Sequence, residues 1–97
     1  MEITDLLTQE SVHIALRATS KKQALQELAH LASSVTGLHE RTIFEILLER
    51  ERLGTTGVGK GIAIPHGKLA ELERLHGLFV RLDQPVDFES VDDQPVD

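Results

Sequence analysis

Between Gly54 and Lys68 the chain places four glycines in eight residues, then the apolar run Ile62 to Ile64, then Pro65, His66 and Gly67. No other stretch limits the fold as much. A glycine loop of this density permits positive φ angles and lets backbone N–H groups approach an anion. The apolar run that follows is too short for a helix and reads as a buried strand. Pro65, with a fixed φ and no N–H, ends that strand and presents His66 at its edge. Gly67 leaves room beside the imidazole, and Lys60 and Lys68 flank it in sequence. A phosphoryl group fits such a setting.

At 97 residues, with 40% apolar and 27% charged side chains, the chain makes one globular domain. No apolar run approaches the roughly 18 residues of a membrane span, and the first residues lack the basic start of a secretory signal. There is no cysteine, so disulfides and thiolate metal sites are excluded and a cytoplasmic location is expected. The net charge of −6 argues against nucleic acid. An acidic protein that handles phosphate must gather its cations locally, which directs attention to Arg50, Arg52, Lys60 and Lys68.

Ahead of the glycine stretch the pattern is helical. Residues 1–11 read as a short helix or turn, and Val12, Ile14 and Leu16 alternate with His13, Ala15 and Arg17 as in a half-buried strand whose His13 faces water. Ser20 with Gln23 forms a capping-box signature, which starts a helix at Lys21. Its apolar face carries Ala24, Leu25, Leu28, Leu31, Ala32 and Val35, His30 packs at the boundary, and Gly37 ends it. A second helix runs from Glu40 to Leu53, buries Ile43, Phe44, Leu47 and Leu53, and ends at Gly54, with Arg50 and Arg52 complementing the dipole in its last turn. Beyond the glycine stretch, residues 69–75 read as a turn or brief helix. His76 to Leu82 reads as a strand with apolar residues on both faces, as suits a sheet covered by helices. Turn signals bracket Val86 to Val91, and a further strand is expected to begin at the end of the chain.

Several chemistries fail on spacing. Gly54 to Gly61 matches G-x-x-x-x-G-K but puts Gly61 where a P-loop needs Ser or Thr, and it follows a helix where a P-loop follows a strand. The five histidines show no i, i+4 pairing with a carboxylate between them, so no metal site is expected, and no cofactor is called for. Histidine phosphorylation remains. A neutral imidazole, with an ordinary pKa of about 6.5, is a competent nucleophile near neutrality. The phosphorylated ring needs N–H donors and a guanidinium, which the glycine loop and Arg50 could supply. The residues alone leave a second reading open, that His66 is a loop histidine after a proline.

The runs Leu47 to Gly54, Thr55 to Lys68 and Pro85 to Asp97, and above all Gly-Ile-Ala-Ile-Pro-His-Gly at 61–67, resemble the enzyme IIA domain of the phosphoenolpyruvate-dependent phosphotransferase system. The likeness is to the fructose/mannitol type (type 2), nitrogen-regulatory branch, and it covers essentially all of residues 1–97. It implies an α/β fold with a mixed β-sheet flanked by helices on both faces. It also implies that His66 accepts a phosphoryl group from a small HPr-like, histidine-phosphorylated carrier protein, using Nε2. Arg50 falls on the family's charge-stabilising arginine, and Thr56 and Gly67 fall at phosphate-binding positions. Downstream partners would be an enzyme IIB or, in the nitrogen branch, regulatory target proteins. A pure docking module of the same fold is the alternative. The family's second active-site histidine lies beyond residue 97, and His76 does not match it. The chain therefore reads as the N-terminal two-thirds of such a domain, lacking C-terminal strands and helices, and is expected to self-associate and to accept phosphoryl groups more weakly than an intact domain.

Overall fold

The computed structural model describes residues 12–68 and 79–97. The order of elements is β1 (Val12–Leu16), α1 (Lys21–Thr36), α2 (Glu40–Leu53), β2 (Gly57–Gly59), β3 (Ile62–Ala63) and β4 (Phe79–Leu82). The fold is α/β. Both strand directions occur, but among the described residues they form two separate pairs: β1 runs parallel to β4, with Val12 opposite Phe79 and Leu16 opposite Leu82, and β2 pairs antiparallel with β3. The expected structure of residues 1–11 and 69–78, and the direction of His13, lie outside the described residues.

Both helices begin and end where their caps dictate. The Ser20 hydroxyl accepts the Gln23 N–H at 3.1 Å while Gln23 Oε1 reaches back to the Thr19 N–H at 2.8 Å, which satisfies two otherwise orphaned donors. Gly37 terminates α1 in the left-handed region at φ 75°, donating to Ser33 O, a conformation costly to any residue with a Cβ. His39 caps α2, its Nδ1 accepting the Arg41 N–H at 3.3 Å.

The core lies where α1 and α2 meet the C-terminal segment. Ala18, Ala24, Leu25, Val86, Phe88 and Val96 are buried together, with Leu28, Phe44, Leu47, Leu48 and Leu82 packed around them. Phe88 and Val86 sit in no named strand, yet with Leu25 they are the largest fully buried side chains among the described residues. A single antiparallel bridge, Val86 to Val96, folds this segment back on itself. Two expectations are corrected here. Leu53 is 80% exposed: it is the last residue of α2 and projects past the packed region. Ile62 and Ile64 are 53% and 58% exposed, so the apolar run is one half of a surface hairpin and not a buried strand.

Candidate functional site

The glycine stretch folds as a hairpin. β2 and β3 are joined by Lys60 and Gly61, with φ of 58° and 77°, and a two-residue turn with both central residues at positive φ is the type I′ turn that matches strand twist. Gly57, Gly59 and Gly61 alternate along it and face the C-terminal segment at close range. A Cβ on Gly57 would lie 2.1 Å from Ser90 Oγ, one on Gly59 3.0 Å from Asp92 Oδ2, and one on Gly61 3.1 Å from Asp97 Oδ1. These glycines are the space into which another backbone fits.

That packing corrects the picture of an open anion cradle. The Lys60 N–H donates to Asp92 at 2.8 Å and the Gly57 N–H to Thr55 Oγ1 at 3.0 Å. The Thr56 N–H donates to both oxygens of Glu51, at 2.9 and 3.2 Å. Asp92, held by the N–H groups of Lys60 and Gln94, has its carboxyl below the usual range and stays charged beside the turn. Three donors of the loop are thus committed to carboxylates and a hydroxyl of the chain itself.

His66 stands after this hairpin on the surface. Its Nδ1 lies 2.8 Å from Ile64 O. A carbonyl oxygen can only accept, so Nδ1 carries the proton and Nε2 keeps its lone pair. Next to it, Gly67 presses against α2: a Cβ there would fall 2.3 Å from Ile46 Cγ2. Ile46 is one turn before Arg50 on the same helix face, so the His66 segment rests against the face that carries the arginine. Arg50 is half-buried and donates from Nη1 to Gly54 O at 2.8 Å, closing the C-terminus of α2.

Thr56 is only 4% exposed and both its N–H and its hydroxyl are directed at Glu51, so it faces the interior and not the His66 surface. Two residues that spacing did not single out complete this inner cluster. Glu51 is 7% exposed and is paired with Lys21 Nζ at 2.8 Å; Lys21 also lies 5.7 Å from the centre of the Phe88 ring. Burial alone would raise the Glu51 pKa, but the Lys21 ammonium and the two Thr56 donors outweigh it and the carboxyl is held below its ordinary value. An open cleft of about 550 Å³ passes Lys21, Leu25, Leu48, Glu51 and Thr55, and His66 does not line it. Among the described residues no group of three His, Cys, Asp or Glu side chains could hold a metal ion, and no helix is long and apolar enough to cross a membrane.

The model of the family described as the phosphoenolpyruvate-dependent sugar phosphotransferase system, EIIA 2, matches residues 5–97. A nitrogen regulatory protein of Bradyrhizobium diazoefficiens is 63% identical over 97 residues, spanning 100% of this chain and 63% of that protein. One from Escherichia coli K12 is 42% identical over 98 residues, spanning 100% of this chain and 60% of that protein. The crystal structure of nitrogen regulatory protein IIA-Ntr from Neisseria meningitidis superimposes with a TM-score of 0.90 at 36% identity, over 97% of this chain and 64% of that one. The chain therefore spans about three-fifths of the length of the relatives it matches.

Proposed function

Because the chain belongs to the EIIA 2 family of the phosphoenolpyruvate-dependent sugar phosphotransferase system, we propose that it is a phosphohistidine relay protein with a regulatory output, and that His66 is the acceptor. The observation that carries this reading is the surface imidazole whose Nδ1–H is committed to Ile64 O, which leaves Nε2 as the nucleophile. A donor that is itself a protein, an HPr-like carrier bearing a phosphohistidine, requires an acceptor that stands proud of the surface.

In the transfer, the Nε2 lone pair of His66 attacks phosphorus in line with the carrier's P–N bond. The new Nε2–P bond forms as that bond breaks, and the carrier imidazole leaves with its electron pair. The proton stays on Nδ1, donated to Ile64 O, throughout. Such a reaction asks little of the protein beyond position and charge. Arg50 is the cation for the phosphoryl oxygens, exchanging its bond to Gly54 O for them, and the backbone at Gly67 contributes by resting on α2 at Ile46. Thr56 supports the site from the interior. The relatives' printed name supports an output through regulatory target proteins, with an enzyme IIB as the downstream partner if the chain serves sugar transport.

Incubation with phosphoenolpyruvate and the upstream carriers, followed by intact-mass analysis, tests this. One added phosphoryl group is expected, absent in His66→Ala and formed about a hundredfold more slowly in Arg50→Ala. Undiminished labelling of His66→Ala would move the acceptor elsewhere. The alternative, a docking module without turnover, draws on the exposed Val58, Ile62 and Ile64 ahead of His66 and requires no labelling at all.

A further inference from the structure

We propose that Glu51 is a positioning residue for His66, acting through a hydrogen-bonded line that runs from its carboxylate through Thr56 and Ile64 to the imidazole. For its consequence in phosphoryl transfer this rests on the reading of His66 as acceptor; the positioning itself is measurable without any transfer.

Each link is short. Thr56 donates its N–H to Glu51 at 2.9 Å and its hydroxyl to the same carboxylate. The Thr56 carbonyl, fixed by those two anchors, accepts the Ile64 N–H at 2.9 Å. Ile64 is then held on its N-terminal side by Thr56 and on its C-terminal side by the rigid ring of Pro65, and its carbonyl accepts from His66 Nδ1 at 2.8 Å. That last bond selects the tautomer that leaves Nε2 free.

The line begins in a buried, charge-paired cluster. Glu51 and Thr56 are 7% and 4% exposed, and Lys21, at the start of α1, holds the carboxylate at 2.8 Å. A carboxylate suits the task because two converging Thr56 donors and an ammonium need more acceptor positions than one amide oxygen offers. Arg50, adjacent in sequence, is set by the same helix end through Gly54 O. Glu51 touches neither donor nor phosphoryl group and acts only through its neighbours.

Two double variants of the full chain isolate the effect. Lys21→Met/Glu51→Met and Lys21→Met/Glu51→Gln both remove the buried charges at similar volume, which folds tolerate, but only the second keeps an acceptor for Thr56. Long-range proton–nitrogen NMR of the His66 ring reads the tautomer, and labelling from phosphoenolpyruvate and the upstream carriers reads the rate. The first variant is expected to lose the Nδ1–H preference and to be labelled about tenfold more slowly; the second keeps both. Identical tautomer populations and rates in the two variants overturn the proposal. If the first variant does not fold, Thr56→Val, which removes only the hydroxyl donor, replaces it with the same expected direction, and wild-type behaviour of that variant in both readouts overturns the proposal equally. A tautomer difference without labelling of the wild type would instead keep the positioning role and refute the acceptor reading.

Discussion

The two ends of α2 are each tied to α1 by a carboxylate and a base, and the ties differ in almost every physical respect. At the start of α2, Glu40 meets His30 Nδ1 at 2.7 Å with side chains 53% and 62% exposed. At its end, Glu51 meets Lys21 at 2.8 Å with side chains 4% and 21% exposed, and the same carboxylate also takes both donors of Thr56. The first is a surface contact screened by water; the second is a largely buried network in which Lys21 has a further, longer contact to Glu89 at 3.7 Å. The more deeply buried tie is therefore the one at the end of α2 from which the line to His66 departs.

Glu51→Ala breaks that contrast most severely. It strands two Thr56 donors and leaves Lys21 with only its longer contact to Glu89, and a loss of about 3 kcal/mol is expected in urea unfolding, the low end for a buried pair because Lys21 keeps that contact and some water. Equal losses for Glu51→Ala and His30→Ala would erase the distinction between the two ends. Gly67→Ala acts midway along the helix. With Ile46 Cγ2 only 2.3 Å from the new methyl, the His66 segment must move off α2, which is expected to cost about 1–2 kcal/mol and to slow labelling of His66 as well.

The pH dependence separates the two ties by sign. The Glu51 pKa is lowered on folding, so its contribution is complete above the ordinary carboxylate pKa of about 4.3 and is lost as pH falls through the depressed value. The His30 pKa is raised, chiefly by its bond to Glu40 and that residue's charge, so its contribution is complete below about 6.5 and is lost as pH rises through the elevated value. Denaturation midpoints followed across pH should show a pronounced acid limb that Glu51→Gln flattens. A small change near neutrality should vanish in His30→Ala and fade with added salt. An acid limb unchanged by Glu51→Gln would place the acid sensitivity in other carboxylates.

What could be read from the sequence was what neighbours in sequence determine. Ser20, Gln23 and Gly37 announce α1, and Glu40 and Gly54 bracket α2, because caps are local chemistry. The Lys21–Glu51 pair joins residues thirty apart with no periodicity to betray it, and a glutamate between two arginines in a last helical turn looks like solvated charge. The glycines pointed to special backbone, but their alternation at 57, 59 and 61 was the more telling signal: in a strand those positions share a face, and glycines there mark a close neighbour. The neighbour, Ser90 to Asp97, has no strand pattern of its own, and without it the apolar run points Ile62 and Ile64 to the interior when they cover the outside of a hairpin. His66 was visible because Pro65 and Gly67 frame it; the carbonyl that orders its ring was not.

The proposed acceptor of the phosphoryl group is the free nitrogen of this ring. Phosphorylation of nitrogen-15 labelled protein by phosphoenolpyruvate and the upstream carriers, followed by nitrogen–phosphorus coupling measurements on the His66 ring, tests it directly. Coupling at Nε2, with the Nδ1 proton retained, is the predicted result. Coupling at Nδ1, or a phosphoryl group on any other residue, would contradict it.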